Sequence, residues 1–590
     1  MNIESISKKL NSSQQEAIQS PINKPLLIVA GAGSGKTTTL TARLKFLIKN
    51  GISLSNIVAI TFTNKAANEM KDRILKDSLD TKGLFVGTFH GFGVSILKRE
   101  AHHLNRNSSF SIFDSNDSKK VIKDLIKKHA INTKQFSPAI LIYKIGKIKN
   151  NFENLNYLKN SKNQIDKVVA NLYEKYEAEL TKLNAFDFDD LIHKVVVVWQ
   201  LKRDVLKKYQ DKYQYILVDE YQDVNNSQYK MVKLLAGENQ NISVVGDDNQ
   251  AIYGFRGANF TNFLNFDSDF KNAQVILLTQ NYRSTKNIIG AASDVIVCNK
   301  IQRPKELWTN NADGSKVKLQ ECYSKYEESN WLVNNLNKQD LKSTAILYRT
   351  NAQSRPLEQS LIENNIPYTI FGGLRFYDRL EIKDLVATMR YAINPQDLVS
   401  LDRLDKNLYR TQFNLLKDNL PTWAQKFAPS PLLEKIIKDI DYINTLSKKY
   451  PNSFERIENI KELINFAGSF RSTAEFVASI SLFESASPKE KNKDDSLKLM
   501  TIHLSKGLEF DNVYVVGVNE GLIPHERSLV SQEEIEEERR LLYVAMTRAK
   551  KNLSLSFFNI PSRFISEISP KFLSVNIARD LDDEERYIEI

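Results

Sequence analysis

The stretch VVGDDNQAIYGFRGA at 244–258 sets acids and an amide (Asp247, Asp248, Gln250) a few residues from two aromatics and a cation (Tyr253, Phe255, Arg256). Carboxylates and a carboxamide suit a metal-bound phosphate, and aromatic faces beside a guanidinium suit a nucleic-acid base. A segment that does both links nucleotide chemistry to grip on a strand, which is the minimum a molecular motor needs. The pairing has meaning only if the rest of the chain supplies the nucleotide and the strand.

AGAGSGKT at 30–37 supplies the first. It follows an apolar run and precedes a helical stretch, the context a P-loop requires. The residues Ala30, Gly31, Ala32, Gly33, Ser34 and Gly35 bring backbone N–H groups close to phosphate oxygens. Lys36 reaches the β and γ oxygens, and the Thr37 hydroxyl ligates Mg²⁺. Val218-Asp219-Glu220 ends a second apolar run. Asp219 is the candidate for the metal's water shell and Glu220 for general base on the attacking water. An isolated Asp-Glu pair is ordinarily a solvated loop, and the P-loop upstream reverses that reading. Phosphoryl transfer also needs cations on the developing charge, and Arg283 (in QNYRST) and Arg548 (in YVAMTRAK) are candidates. Arg548 follows a second sheet region, so it would arrive from another domain and make hydrolysis depend on closure. By spacing alone, each arginine reads equally well as a surface ion pair.

The strand candidates lie in ITFTNKAANEM at 60–70, with Phe62, Thr63 and Asn64, and in GTFHGFG at 87–93, with Thr88 and His90. Tyr253, Phe255 and Arg256 join them. Stacking on an aromatic contributes about 1–3 kcal/mol per base without sequence preference. Phe89 reads as core, and Phe62 as evenly divided between core and ligand. His90, His102 and His103 have no metal spacing and read as non-ligands.

The elements that position these residues are short β-rich runs alternating with helical stretches. LLIVA, NIVAITF, YILVDE and ISVVGD form one group, and STAILYR, KLMTIH and VYVVGV a second. Such runs read as buried parallel strands, so two α/β sheet domains are expected. Two long segments, 92–200 and 380–491, read as helical and without strands. FDFDDLIHKVVVVWQLKRDVLKK, at the end of the first, is expected as helix, and SPKEKNKDD, closing the second, as a solvated linker. Helical modules insert readily into loops of a sheet domain, because closure entropy grows slowly with loop length.

Composition bounds the rest. A chain of 590 residues implies three or four domains, and 42% hydrophobic with 26% charged residues is ordinary for packed cores. A net charge of +11 suits a polyanionic partner. Two cysteines, Cys298 and Cys322, exclude a disulfide framework or a Cys-rich zinc site. The amino-terminal residues show no apolar signal region, and the longest apolar runs are too short to span a bilayer, so no membrane role and a cytoplasmic location are expected.

With these residues assembled, the chain resembles a superfamily 1 helicase of the UvrD/Rep/PcrA type, over nearly its whole length and with the motifs in order. LNSSQQEAI resembles the Q motif, which implies Gln14 as adenine reader. AGAGSGKT, TFTNKAANEM, GTFHGFG, VDEYQD and VGDDNQAIYGFRGA resemble motifs I, Ia, Ib, II and III. LTQNYRST resembles motif IV, implying that Tyr282 stacks on adenine and Arg283 touches the γ-phosphate. TIHLSKGLEF resembles motif V, implying Glu509 near the ribose and His503 near the coupling path to DNA. EEERRLLYVAMTRAK resembles motif VI, with Arg548 as arginine finger.

The resemblance implies two RecA-like domains, each with an inserted, mainly helical subdomain. Domain 1A would be 1–90 and 200–277, 1B 91–199, 2A 278–379 and 492–590, and a short 2B 380–491. It implies an ATP-dependent 3′→5′ DNA helicase, with ATP and Mg²⁺ as cofactors and single-stranded DNA and single/double-strand junctions as partners, serving repair or replication. Two departures stand out. Phe255 occupies the place of a Trp in motif III. Relatives follow NP.D..SL.R with a GIG-type turn that touches duplex, whereas here NPQDLVSLDRLDKNLYRTQFNLL runs on without glycine. The alternatives are a single-strand translocase that unwinds weakly, and a non-motor nucleic-acid-binding module.

Overall fold

Alternation within the run LLIVA decides the first sheet. Leu27 and Val29 pack into one core with helices on one face, while Leu26, Ile28 and Ala30 pack into another on the opposite face. A strand buried on both faces is the signature of a parallel sheet covered on each side by helices.

The computed structural model describes residues 10–75, 83–129, 131, 137–336, 338–486 and 495–577. The chain divides into two units, Met1–Arg283 with Asn299–Asn311, and Ser284–Cys298 with Ala312–Ile590. The first unit holds β1 (Leu26–Ala30), β2 (Ile57–Thr61), β3 (Phe85–Thr88), β4 (Ser111–Phe113), β5 (Ala185–Asp187), β6 (Tyr215–Val218), β7 (Ile242–Gly246) and β8 (Gln274–Leu278). Six of them form a parallel sheet in the order β3-β2-β6-β7-β1-β8.

The second unit holds β9 (Val317–Cys322), β10 (Thr344–Tyr348), β11 (Tyr368–Ile370), β12 (Leu497–Thr501), β13 (Phe510–Val515), β14 (Ala549–Phe558) and β15 (Leu573–Asn576). These form a seven-stranded parallel sheet in the order β11-β12-β10-β13-β14-β9-β15. The two α/β parallel sheets expected from the apolar runs are present.

Sequence reading missed several strands for identifiable reasons. Edge strand β8 exposes Val275 and Leu277, and β14 opens on Lys550, Lys551 and Asn552, so neither reads as a continuous apolar run. The segment 92–200 was expected to hold no strand, and this is corrected: β4 and β5 pair in parallel within it, each only three residues long. Three residues are too few for a period of two to register. The long apolar stretch after β5 is helical as expected, over Asp190–Leu201 and Arg203–Lys212. Most of the charged run at 487–495, and residues 1–9 of the amino-terminal stretch read for a signal region, lie outside the described residues.

Each sheet carries a helical module with a core of its own. In the first unit, Ile122, Leu141, Leu172, Tyr176 and Leu180 pack together. Beneath them Lys149 is wholly buried, its ammonium 2.7 Å from Glu177, 2.7 Å from Asp187 and 2.8 Å from Asp190. Burial alone would push this lysine down, but the three carboxylates hold it well above its ordinary value. In the second unit, the helices from Leu380–Ile393 to Thr473–Ala486 pack around Met389, Leu416, Leu432 and Leu463. Arg355, on the helix Ser354–Glu363, ties that module to the sheet, donating to Glu462 at 2.7 Å and lying 4.1 Å from the Phe466 ring centroid.

Removing the cation of a buried cluster leaves uncompensated charge in low dielectric. Lys149→Met should therefore destabilise the first unit by about 3–5 kcal/mol, read as a lower unfolding midpoint and faster amide exchange in the helix Asp190–Leu201. A loss under about 1 kcal/mol would show that the three acids are satisfied without it.

Candidate phosphate site and aromatic face

Local sequence shapes the phosphate loop. The chain leaves β1 and turns at Gly33 and Gly35, whose φ values of 64° and 83° are left-handed. Gly35 then caps the helix Lys36–Lys49. A side chain at Gly33 would meet Asn281 Nδ2 at 2.6 Å and Arg283 Cβ at 2.9 Å, so close approach, besides φ, demands glycine. At Gly31 the obstacle would be Leu307 at 2.1 Å. The helix Lys36–Lys49 opens at this loop with no side-chain cap, and a helix amino terminus with unpaired N–H groups suits a polyphosphate.

Strand β6 delivers the acids beside it. Thr37 Oγ1 donates to Asp219 Oδ2 at 3.0 Å, and Lys36 Nζ lies 2.9 Å from Glu220 Oε2. Burial and the neighbouring Glu220 charge push the Asp219 carboxyl up to about 6. Burial would lower Lys36, yet Glu220, Asp247 and Asp219 together hold it above its ordinary value. A buried carboxylate raised in this way beside a hydroxyl lacks positive charge. A divalent cation would supply it, so Thr37 and Asp219 fit Mg²⁺. Glu220 itself has φ 51° and ψ 43°, unusual for a residue with a side chain.

A hydrogen-bonded chain runs from this pair to the next strand. Gln222 Nε2 donates to Glu220 Oε2 at 2.6 Å, and its Oε1 accepts from the Asp247 backbone N–H at 2.9 Å. Asp247 Oδ2 accepts from Gln250 Nε2 at 2.6 Å. Asp247, Asp248 and Gln250 are all buried at the carboxyl end of β7. Gln222 was not singled out from sequence; nothing in VDEYQD marks it apart from its place two residues after Glu220.

The residues at 280–283 dock on the loop from its other side. Asn281 Nδ2 donates to the Ala32 carbonyl at 2.7 Å, and the Tyr282 N–H donates to the Gly33 carbonyl at 3.0 Å. Arg283 is half-buried beside Gly33, and the Tyr282 ring is exposed with its hydroxyl on Gln280. Gln14 arrives on the helix Ser12–Gln19, capped by Asn11. Its Nε2 donates to the Ser34 carbonyl at 3.0 Å and its Oε1 accepts from the Asn11 N–H at 3.1 Å. It thus braces the loop.

The aromatic face lies at the strand ends of the same unit. Phe62 follows β2, partly exposed, with its ring parallel to Tyr253 at 6.3 Å. Phe255 is 57% exposed, and the Arg256 guanidinium sits 5.3 Å and 5.4 Å from the Tyr253 and Phe255 ring centroids. Thr63 and Asn64 are exposed at the start of the helix Asn64–Leu75. Thr88 spends its hydroxyl capping the helix Phe89–Glu100, and Phe89 is buried as expected. His90 stacks on Phe188 at 3.9 Å and is driven down to about 4 by burial, which keeps its ring neutral. Phe188, 56% exposed, is a candidate that sequence reading passed over because it sits in FDFDDL, read as helix interior.

His102 and His103, expected as non-ligands, converge with Glu100 to within 4.8 Å. The same carboxylate already takes Lys208 at 2.7 Å and the Tyr209 hydroxyl at 2.9 Å, and that ammonium opposes a cation there. In the second unit Arg548 is buried, donating to the carbonyls of Val544 (2.9 Å) and Leu508 (3.2 Å). Glu509 is exposed with Lys550 at 2.7 Å, and His503 lies partly buried in the short helix Ile502–Ser505. No helix among the described residues is long and apolar enough to cross a membrane.

Comparison with known proteins bears on the whole chain. The UvrD/REP helicase N-terminal domain family matches residues 10–271, and the UvrD-like helicase C-terminal domain family matches 276–420 and 405–560. The protein named ATP-dependent DNA helicase PcrA from Staphylococcus epidermidis is 37% identical over 639 positions, covering 96% of this chain and 87% of the relative. Its namesake from Leuconostoc citreum is 36% identical over 651 positions, covering 97% and 86%. Both alignments are longer than this chain, so the relatives carry internal segments that it lacks. A solved structure, the C-terminal domain of a possible DNA helicase from a Lactobacillus, matches 50% of the chain and 98% of its own at 14% identity and a TM-score of 0.23, too distant to carry an argument. On its family matches and its relatives, the chain belongs to the UvrD/REP family of helicases.

Proposed function

We propose that this chain is an ATP-dependent DNA helicase that moves 3′→5′ on single-stranded DNA and opens duplex at single/double-strand junctions, in the cytoplasm and in the service of repair or replication. The observation that carries the reading is the continuous link Lys36–Glu220–Gln222–Asp247–Gln250, which ends three residues before Tyr253 on the aromatic face. ATP then acts on a hydrogen-bonded path whose last residue, Gln250, shares one short segment with the rings that meet DNA.

Lys36 and the loop N–H groups hold the β and γ phosphates. Thr37 and Asp219 hold Mg²⁺, which offsets charge on the transferring phosphoryl oxygens. As phosphate oxygens draw Lys36 away, Glu220 loses that cation, keeps its hydrogen bond from Gln222 and takes the proton of the attacking water. Gln250 registers the γ-phosphate, and Arg283 with Arg548 as arginine finger stabilises the developing charge. Tyr282 stacks on adenine, Gln14 reads its edge and Glu509 exchanges Lys550 for the ribose. Phe62, Thr63, Asn64, Thr88, His90, Tyr253, Phe255, Arg256 and His503 grip the strand, with Phe188 added to that set. The subdomain boundaries 1A, 1B, 2A and 2B stand as part of this proposal.

A second reading, a translocase that unwinds weakly, is favoured by one feature. The helices Leu398–Asn407 and Arg410–Lys426 run through the place of the glycine turn. Unwinding of 3′-tailed and 5′-tailed duplexes, beside translocation on single strands, separates the two. We expect the 3′-tailed substrate alone to open. Opening from the 5′ tail alone would overturn the polarity, and translocation without opening would establish the second reading.

Glu220→Gln should lower DNA-stimulated turnover by about 10²–10⁴-fold while nucleotide binding persists, and Lys36→Ala should abolish turnover. Wild-type stimulation in either variant would remove that residue from the site. Phe255→Ala should weaken single-strand binding by about 1–3 kcal/mol and leave ATP hydrolysis without DNA unchanged. Equal affinity in a fluorescence titration would take Phe255 out of the grip.

A further inference from the structure

Residues Asn299–Asn311 belong to the first unit, although the chain on both sides of them, Ser284–Cys298 and from Ala312 onward, belongs to the second. Within this strap, successive residues reach different parts of the phosphate site. The Arg303 N–H donates to Asp248 Oδ2 at 2.7 Å. Lys305 Nζ lies 2.6 Å from Asp248 Oδ1 and 3.1 Å from Asp247 Oδ1. Leu307 covers Gly31 of the phosphate loop. Trp308 donates its N–H to the Thr279 carbonyl at 3.1 Å and accepts from the Asn281 N–H at 2.8 Å.

Lys305 is the unusual member. Its side chain is 1% exposed, and its two partners are as deeply buried. Burial would push it down, but Asp247 and Asp248 keep it above its ordinary value, so it stays charged. An ion pair this deep is a poor device for stability, since apolar residues of similar volume serve as well or better. It is a good device for fixing direction. Asp247 Oδ1 faces Lys305 while Oδ2 orients Gln250, so one carboxylate is held between the strap and the phosphate sensor.

We propose that the strap couples the second unit to nucleotide hydrolysis, with Lys305 as the positioning residue that holds Asp247, and through it Gln250, in line with the γ-phosphate. The strap runs straight into the second unit at both ends, so displacement of that unit pulls on it. The inference rests on the motor reading above.

The test measures ATP turnover of the full chain with and without oligo(dT), the KM for ATP, and the thermal midpoint. It compares wild type, Lys305→Met, Lys305→Arg and the double variant Lys305→Met/Asp248→Asn. Wild type without DNA stimulation would overturn the motor reading and this inference together. Given stimulation, we expect Lys305→Met to lower the stimulated kcat at least tenfold with KM for ATP changed less than threefold, and Lys305→Arg to restore it to within threefold. The double variant, which removes opposite charges together, should regain thermal midpoint but not stimulation. The inference alone falls if Lys305→Met is stimulated like wild type, or if its KM rises in step with the loss of kcat. It also falls if the double variant recovers stimulation along with its midpoint, for then the pair serves folding only. Should Lys305→Met not fold, the double variant and Lys305→Arg give the same decision.

Discussion

Four carboxylates, Asp219, Glu220, Asp247 and Asp248, gather at the carboxyl ends of the adjacent strands β6 and β7, and three of them are almost fully buried. Repulsion among such groups in low dielectric is severe unless cations or hydrogen-bond donors answer them. Two lysines do so from different parts of the chain. Lys36 comes from the phosphate loop and Lys305 from the strap between stretches of the second unit. Thr37, Gln222 and Gln250 add hydrogen bonds. Four carboxylates against two ammoniums leave the cluster short of positive charge, and one of the two cations is Lys36, the residue that a phosphate would draw off. Binding of a polyphosphate therefore disturbs the whole cluster instead of one pair.

Backbone conformation serves the same end. Glu220 adopts a left-handed conformation that costs an ordinary residue on the order of 1–2 kcal/mol. The turn it makes lets the short helix Tyr221–Asp223 carry Gln222 back under Glu220 and toward β7. A relaxed conformation at this position would send Gln222 elsewhere and break the link between the strands. The glycines at 33 and 35 do comparable work without strain, since their positive φ suits glycine, and Asn281 and Arg283 crowd Gly33 while Gln14 approaches Gly35.

How much of this was legible in the sequence depends on the range of the interaction. The phosphate loop, the acids after β6 and the cluster after β7 are local patterns, each anchored to an apolar run whose burial on both faces is equally local, and they were read directly. The capping role of Thr88 is local too, but its hydroxyl looks the same whether it caps a helix or meets a strand. Gln222 and Lys305 could not be read. Their meaning comes from partners 25 and 57 residues away, and an isolated Gln or Lys carries no period or spacing that announces burial. Phe188 was hidden differently: it sits between β5 and a helix, in a segment whose apolar density reads as core, and only the fold turns it outward onto His90.

Deeply buried charges and exposed rings in the first unit also separate two kinds of sensitivity. The acid cluster is largely buried and its members are held by several bonds each, so it responds in steps, by exchange of one partner for another. The rings of Phe62, Tyr253 and Phe255 are joined by loose contacts near 6.3 Å and are partly open, so in the proposed grip they would adapt to any base without choosing among them. A strand held in this way can be released and taken again without regard to sequence, provided the timing comes from the cluster. Gln250 and Tyr253 are three residues apart on one short segment between the two regimes, and that closeness lets a discrete change at phosphate become a shift of a tolerant grip. Duplex opening requires something further, a surface that meets paired strands. In the second unit the segment that follows Asn394 offers helices with Leu398 and Val399 turned to solvent in place of a glycine turn. On the proposed reading the first unit's residues account for movement along one strand, while the force applied to a duplex depends on what those helices touch.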